Sequence, residues 1–82
     1  MIDAGILDGD LAIIQRNSEI KNNDIVAILL DEEATLKRLK KTNKELTLIP
    51  ENKNYKPILV TPQQFQARIV GKYIGLVRSN LI

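Results

Sequence analysis

The sequence has no cysteine and no histidine among its 82 residues. Their absence excludes a disulfide scaffold, zinc sites built from these residues, and nucleophiles activated by histidine. The longest apolar run, Ile25–Leu30, is far shorter than the roughly 20 residues that span a membrane. The first residues include Asp3, Asp8 and Asp10 rather than basic residues before an apolar stretch, so we expect no signal peptide. We therefore expect one small cytoplasmic domain over residues 1–82, without membrane contact, metal or cofactor.

Aromatic side chains are scarce, because only Tyr55, Phe65 and Tyr73 are present. Isoleucine, leucine and valine must therefore supply the core, and a domain of this size buries only about 60% of its unfolded surface. The net charge of +2 is too small to demand an anionic partner. We expect a core of modest stability that neighbouring segments or a second copy of the chain partly cover.

Strand signals outweigh helix signals along nearly the whole chain. Apolar runs and alternating segments predict strands over Leu11–Ile14, Ile25–Leu30, Ala34–Lys41, Glu45–Ile49, Pro57–Val60 and Phe65–Arg78. Ile25–Leu30 does not alternate with polar residues, which predicts burial on both of its faces. The expected fold is all-β, compact and mostly antiparallel, with almost no helix.

Turn residues separate these predicted strands. Asp8, Gly9 and Asp10 form a turn motif in which Gly9 can take a positive φ. Asp31–Glu33 is predicted as the short connection of a hairpin, and residues 61–64 as a further turn. Two glycines at positions 71 and 75 are predicted to bend or bulge the last strand.

Lys37 is the side chain that fits its surroundings least. Side chains alternate along a strand, so Lys37 shares a face with Thr35 and Leu39. If that face packs inward, poor solvation penalises the ammonium form and makes the neutral amine a competent general base. The alternative is a solvated basic edge that discourages aggregation.

A third interpretation of the same region is contact with nucleic acid through a small β-barrel. The basic residues that cluster there are Lys37, Arg38, Lys40, Lys41 and Lys44. No aromatic residue interleaves with them, so stacking on bases is not supported.

Three blocks of sequence carry a resemblance to a known family. They are Gly5–Leu11, Glu33–Lys41, and Leu48–Asn52 with Tyr55–Ile58. In this order they resemble the carboxy-terminal domain of LexA-type SOS repressors, which are self-cleaving serine peptidases. Phage repressors and UmuD-like polymerase accessory proteins are related to them, and the fold resembles that of bacterial signal peptidase.

The resemblance implies a serine–lysine dyad in which Lys37 is the general base. The family's serine stands immediately before the methionine that matches Met1, and so lies outside this sequence. We therefore expect a fragment that lacks its nucleophile and is inactive as written. In the full-length parent, the resemblance implies cleavage of an upstream peptide bond, typically Ala-Gly, stimulated by RecA filaments. DNA would be bound only by an absent amino-terminal domain.

The predicted last strand has apolar residues on both faces. Val70, Ile74 and Leu76 lie on one face, and Tyr73 and Val77 lie on the other. In LexA-like proteins the final strand contributes to the dimer interface, which implies a homodimer through these residues. The alternatives are burial within one chain, and a non-catalytic dimerisation or polymerase-accessory module that resembles UmuD.

Overall fold

The computed structural model describes Gly5 and residues 9–43, 45–51 and 56–78. The elements in this part of the chain are β1 (Leu11–Gln15), β2 (Ile25–Leu30), β3 (Glu33–Lys41), β4 (Leu46–Ile49), β5 (Ile58–Val60), α1 (Pro62–Arg68) and β6 (Ile69–Val77). The strands form one antiparallel sheet in the order β1-β6-β2-β3-β4-β5. The predicted all-β, mostly antiparallel fold is confirmed. Within the described ranges, no helix has the length and apolarity needed to cross a membrane.

The strands β2 and β3 form the predicted hairpin. Their connection is only Asp31 and Glu32, whose φ values are 50° and 67°. Two consecutive positive φ values are typical of a type I′ turn, which matches the twist of the flanking strands. Glu33, predicted within the connection, is the first residue of β3, because this turn requires only two residues between the strands.

The hydrophobic core lies on one face of the sheet, which we call the helix face because α1 packs there. Cross-strand partners share a face, and the register therefore places the buried side chains of β2, β3 and β4 together. They are Val26, Ile28, Leu39, Leu46 and Leu48, and the ring of Phe65 from α1 packs against them.

Burial of β2 is less complete than its apolar sequence predicts. Val26, Ala27 and Ile28 are buried, but Leu29 is 44% exposed. Ala27 and Leu29 point away from the helix face. Because α1 covers only the helix face, the prediction that β2 is buried on both faces is wrong for Leu29.

The helix α1 is the main departure from the predicted strands. Residues 65–68 are helical rather than extended, and the last strand is only Ile69–Val77. The Thr61 hydroxyl accepts a hydrogen bond from the Gln64 amide at 3.1 Å, and the Gln64 side chain accepts one from the Thr61 amide at 3.0 Å. This capping box, with Pro62 in the first turn, stabilises the start of the helix. Burial of Phe65 against the core holds the helix on the sheet.

Both glycines of β6 lie next to irregularities in the sheet, as predicted. The register of β6 shifts against β2 beside Gly71 and against β1 beside Gly75. A Cβ atom on Gly71 would lie 2.5 Å from the carbonyl oxygen of Gln15 and 2.7 Å from a methyl carbon of Ile14. A Cβ atom on Gly75 would meet only a methyl carbon of Ile13, at 3.9 Å. Gly71 therefore permits the close approach of β1 to β6.

Replacing Gly71 with alanine should destabilise the domain more than the same change at Gly75. The Gly71→Ala methyl group would overlap a backbone carbonyl that cannot move without disturbing β1, and overpacking of this kind costs roughly 1–3 kcal/mol. Urea unfolding followed by far-UV circular dichroism measures the difference. Gly75→Ala is the matched control, and equal midpoints for the two variants would contradict the close approach.

Candidate active site

Lys37 lies on the helix face of the sheet, in the middle of β3. Its partner in β2 is Val26, which is completely buried, and Leu39, two residues further along the same face, is 1% exposed. Lys37 itself is half-buried. The face that carries Lys37 therefore packs inward, which is the condition on which the general-base interpretation depends.

No partner holds the amine of Lys37 among the residues that the structure describes. A carboxylate in an ion pair would favour the ammonium form of a lysine, and an ammonium group cannot accept a proton. Lys37 thus combines a half-buried position with the absence of such a carboxylate contact in this part of the chain. A hydroxyl brought to this amine could transfer its proton to it.

Two other basic residues of β3 lie on the opposite face and are engaged. The guanidinium of Arg38 forms an ion pair with Glu51 and donates a hydrogen bond to the backbone carbonyl of Asn23 at 2.8 Å. The ammonium of Lys40 donates to the side-chain oxygen of Asn23. These contacts hold the loop before β2 against β3.

The basic cluster is consequently divided between two faces of the sheet. Lys41 shares the face of Lys37 but is exposed, and Lys44 lies outside the described residues. Because the cations do not form one continuous surface, the geometry does not favour the nucleic-acid interpretation.

A second lysine flanks the buried Val26. Lys72 of β6 is opposite Val26 on the side away from Lys37. Its ammonium nitrogen lies 3.4 Å from Oδ2 of Asp24, and the same oxygen accepts a hydrogen bond from the Lys21 amide at 2.7 Å. Of the two lysines beside Val26, Lys72 is therefore ion-paired with a described residue and Lys37 is not.

Candidate nucleophiles and metal ligands are few in the described ranges. The hydroxyl of Ser18 donates to the side-chain oxygen of Gln15 at 3.3 Å, in the turn after β1, and Ser79 lies outside these ranges. No three acidic side chains in the described part of the chain converge on a point that could hold a metal ion. Met1, before which the family's serine is expected, is also outside the described residues.

The predicted turn motif takes part in a contact with the end of β6. Gly9 has a φ of 88°, as predicted, and Asp8 lies outside the described residues. The carboxylate of Asp10, 3% exposed, accepts two hydrogen bonds from the guanidinium of Arg78, at 2.8 and 2.7 Å. Arg78 also donates to the carbonyl of Gly5 at 3.0 Å. The hydrogen bonds and then the negative charge of Asp10 raise the pKa of Arg78.

The residues predicted at a dimer interface divide into two groups. Val70, Ile74 and Val77 are 38%, 53% and 50% exposed. Tyr73 and Leu76 are half-buried. The alternative in which one chain buries both faces of this strand is therefore wrong for the three exposed residues.

The strand β6 is internal for only part of its length. β1 and β2 flank it, but the pairing with β2 extends only over Ile69–Lys72. From Tyr73 to Val77, β1 is the only neighbouring strand among the described residues. We call this stretch the open half of β6.

Comparison with known proteins identifies the family. The model of the Peptidase S24-like family matches residues 1–74. The chain belongs to this family. The LexA repressor of Clostridium novyi (strain NT) is 53% identical over 78 residues, which are 95% of this chain and 37% of that protein.

Two further relatives have the same name. The LexA repressor of Clostridium perfringens (strain 13 / Type A) is 51% identical over 79 residues, or 96% of this chain and 37% of that protein. The LexA repressor of Oleidesulfovibrio alaskensis is 53% identical over 78 residues, or 95% of this chain and 37% of that protein. The chain is a LexA-type domain of the S24 family that spans little more than a third of these relatives' length.

The contact between Asp10 and Arg78 should contribute measurably to stability. Arg78→Gln removes both charge-assisted hydrogen bonds and leaves a nearly buried carboxylate without that partner. We expect the midpoint of thermal unfolding to fall by a few degrees, measured by circular dichroism. Arg16→Gln changes an exposed arginine in the turn after β1 and is the matched control. A midpoint unaffected by Arg78→Gln would show that the contact is not maintained in solution.

Proposed function

We propose that this chain is the carboxy-terminal part of a LexA-like repressor and that Lys37 is the general base of its self-cleavage. The observation that carries the proposal is Lys37 itself, a half-buried residue on the covered face whose amine has no ion-pair partner among the described residues. Membership of the S24 family and the similarity to LexA repressors support it.

The proposed chemistry is an intramolecular attack on a peptide bond. In the longer protein, a serine immediately before Met1 gives its hydroxyl proton to the neutral amine of Lys37. The serine oxygen attacks the carbonyl carbon of an upstream bond, typically Ala-Gly, while backbone amides stabilise the oxyanion. Lys37 then returns the proton to the leaving amine as the bond breaks. Water finally hydrolyses the ester.

The proposed partners belong to the longer protein. A separate amino-terminal domain would bind operator DNA, and a RecA filament would favour the cleavable conformation by a shift of populations. All of these events would take place in the cytoplasm. The chemistry itself requires the serine, Lys37, the backbone around the bond that is cleaved, and one water molecule.

Lys37→Ala should abolish self-cleavage in a protein that contains the missing segments. A suitable protein joins the corresponding upstream part of the Clostridium novyi relative to Met1 of this chain, with a serine placed directly before Met1. Its cleavage rate should rise with pH, because the fraction of neutral amine rises. We expect the alanine variant to be slower by at least about a hundredfold. Gel electrophoresis over a range of pH values measures both rates.

Lys41→Ala is the matched control for that experiment. Lys41 lies on the same strand and face as Lys37 but is exposed, so its loss should leave cleavage nearly unchanged. Normal cleavage by the Lys37 variant would refute the assignment of the base. An equal loss in both variants would indicate that general positive charge, rather than one amine, is required.

Homodimerisation through β6 is the second function that an observation favours. Among the described residues, no strand pairs with one side of the open half of β6, and the side chains of Ile74 and Val77 in it are exposed. Two copies of such an edge can pair antiparallel across a two-fold axis, so that each covers the other. The same pairing would serve a non-catalytic dimerisation module, so it does not depend on the role of Lys37.

Ile74→Lys should weaken the dimer. Each dimer would lose two apolar side chains from its interface and gain two like charges, so we expect the dissociation constant to rise by more than about tenfold. Sedimentation equilibrium at micromolar concentration measures it. Leu59→Lys is the control, because Leu59 is 67% exposed on β5, at the other end of the sheet. A monomeric parent chain, or equal effects of the two variants, would exclude this interface.

A further inference from the structure

Asp24 lies diagonally across the sheet from two lysines, and its carboxylate binds one of them. It precedes the buried Val26 by two residues, and Val26 lies between Lys37 and Lys72 in the sheet. The backbone carbonyl of Asp24 accepts a hydrogen bond from the Leu39 amide at 2.8 Å, which extends the contact of β2 with β3 by one pair. Asp24 is therefore a diagonal neighbour of both lysines.

Diagonal neighbours are close enough for an ion pair between long side chains. Their Cα atoms lie about 7–8 Å apart, within reach of a lysine and an aspartate. The structure shows which of the two possible pairs forms, because Asp24 contacts the ammonium of Lys72 at 3.4 Å. The Lys21 amide binds the same carboxylate oxygen at 2.7 Å and fixes its direction.

The choice of partner matters because of the chemistry proposed for Lys37. A carboxylate within about 4–6 Å favours the ammonium form of a lysine, and that form cannot act as a base. An Asp24 side chain turned towards Lys37 would therefore inhibit proton transfer.

Other charged groups on the helix face are further along the sheet or carry the same sign as Lys37. Glu33 lies four positions before Lys37 on β3, and Glu51, beyond β4, is engaged by Arg38 on the opposite face. Among the described residues, Glu45 lines a cavity on this face with Leu39 and Phe65, beyond Lys41 of β3. Lys41, Lys72 of β6 and Arg68 of α1 are cations. The partner of Lys72 in β1 is Gln15, which is uncharged.

We propose that Lys72 is a positioning residue that binds Asp24 and thereby keeps the carboxylate away from the amine of Lys37. The proposal rests on the proposed role of Lys37 as a base. It assigns Lys72 no contact with the substrate or with the reacting atoms. Its effect is exerted through Asp24, and removal of Asp24 should therefore cancel the effect of removing Lys72.

The first experiment follows Lys37 directly, in this chain and without any cleavage. The ¹³C signal of the Lys37 Cε atom is titrated with pH in the parent and in Lys72→Met. We expect the titration midpoint of Lys37 to move to higher pH by about one unit in the variant, as expected for a new ion pair with Asp24. In Lys72→Met/Asp24→Asn the midpoint should return to the parent value or below it. An unchanged midpoint in the single variant would refute the proposal.

The second experiment measures self-cleavage in the chimera described above. Lys72→Met should slow cleavage near neutral pH by about tenfold, with a smaller loss at high pH. The added Asp24→Asn should restore the rate. Lys72→Arg keeps the ion pair and should cleave like the parent. A loss that the double variant retains or enlarges would indicate a merely structural role and overturn the proposal.

The two experiments separate failure of this inference from failure of the proposed function. Suppose that Lys37→Ala still cleaves, but that the titration midpoint of Lys37 changes in the Lys72 and Asp24 variants as predicted. Lys72 then does keep Asp24 away from Lys37, and the assignment of Lys37 as the base is wrong. If Lys37→Ala is inactive and Lys72→Met cleaves like the parent, the assignment of the base is correct and the inference about Lys72 is wrong.

Lys72→Gln replaces Lys72→Met should that variant not fold. Its side chain is smaller, and the side chain of Lys72 is 29% exposed.

Discussion

The packing of Val26 between two lysines determines the surroundings of the proposed base. Val26 is completely buried, and its partners in β3 and β6 are both cationic. Both lysines are half-buried residues, as expected where aliphatic stems lie along an apolar neighbour. One carboxylate lies near both, and it pairs with Lys72. The difference between two otherwise similar lysines therefore arises from one ion pair.

The small core explains why this ion pair lies so close to the proposed base. Only Val26, Ile28, Leu39 and Leu48 are almost completely buried among the described residues, and α1, with seven residues, covers that one face. A helix so short has little stability of its own, so capping at Thr61 and burial of Phe65 must hold it. On every strand that lines the core, polar side chains therefore lie within one or two residues of the buried apolar ones.

Local patterns in the sequence predict the strands well and the long-range contacts poorly. Alternation in β3 places Lys37 and Leu39 on one face, but only the register with β2 and β4 shows that this face packs inward. The helix is missed because it is only seven residues long and continues directly into β6, although Gln, Ala and Arg favour a helix and Thr61 with Gln64 forms a capping box. The contact between Asp10 and Arg78 joins residues 68 positions apart. The position of Lys72 beside Val26 follows only after the register shifts in β6 are known.

The strand β6 performs two separate tasks in its two halves. Its first half is fixed on both sides. Gly71 allows β1 to approach closely on one side, and Lys72 forms an ion pair with Asp24, the residue before β2, on the other. Its open half begins at the next residue, where pairing with β2 ends and the register against β1 shifts. A bulge there changes the twist of the strand, so the open half can pair with another copy without displacing Lys72. Lys72 and the proposed dimer surface are therefore neighbours along β6 but make separate contacts.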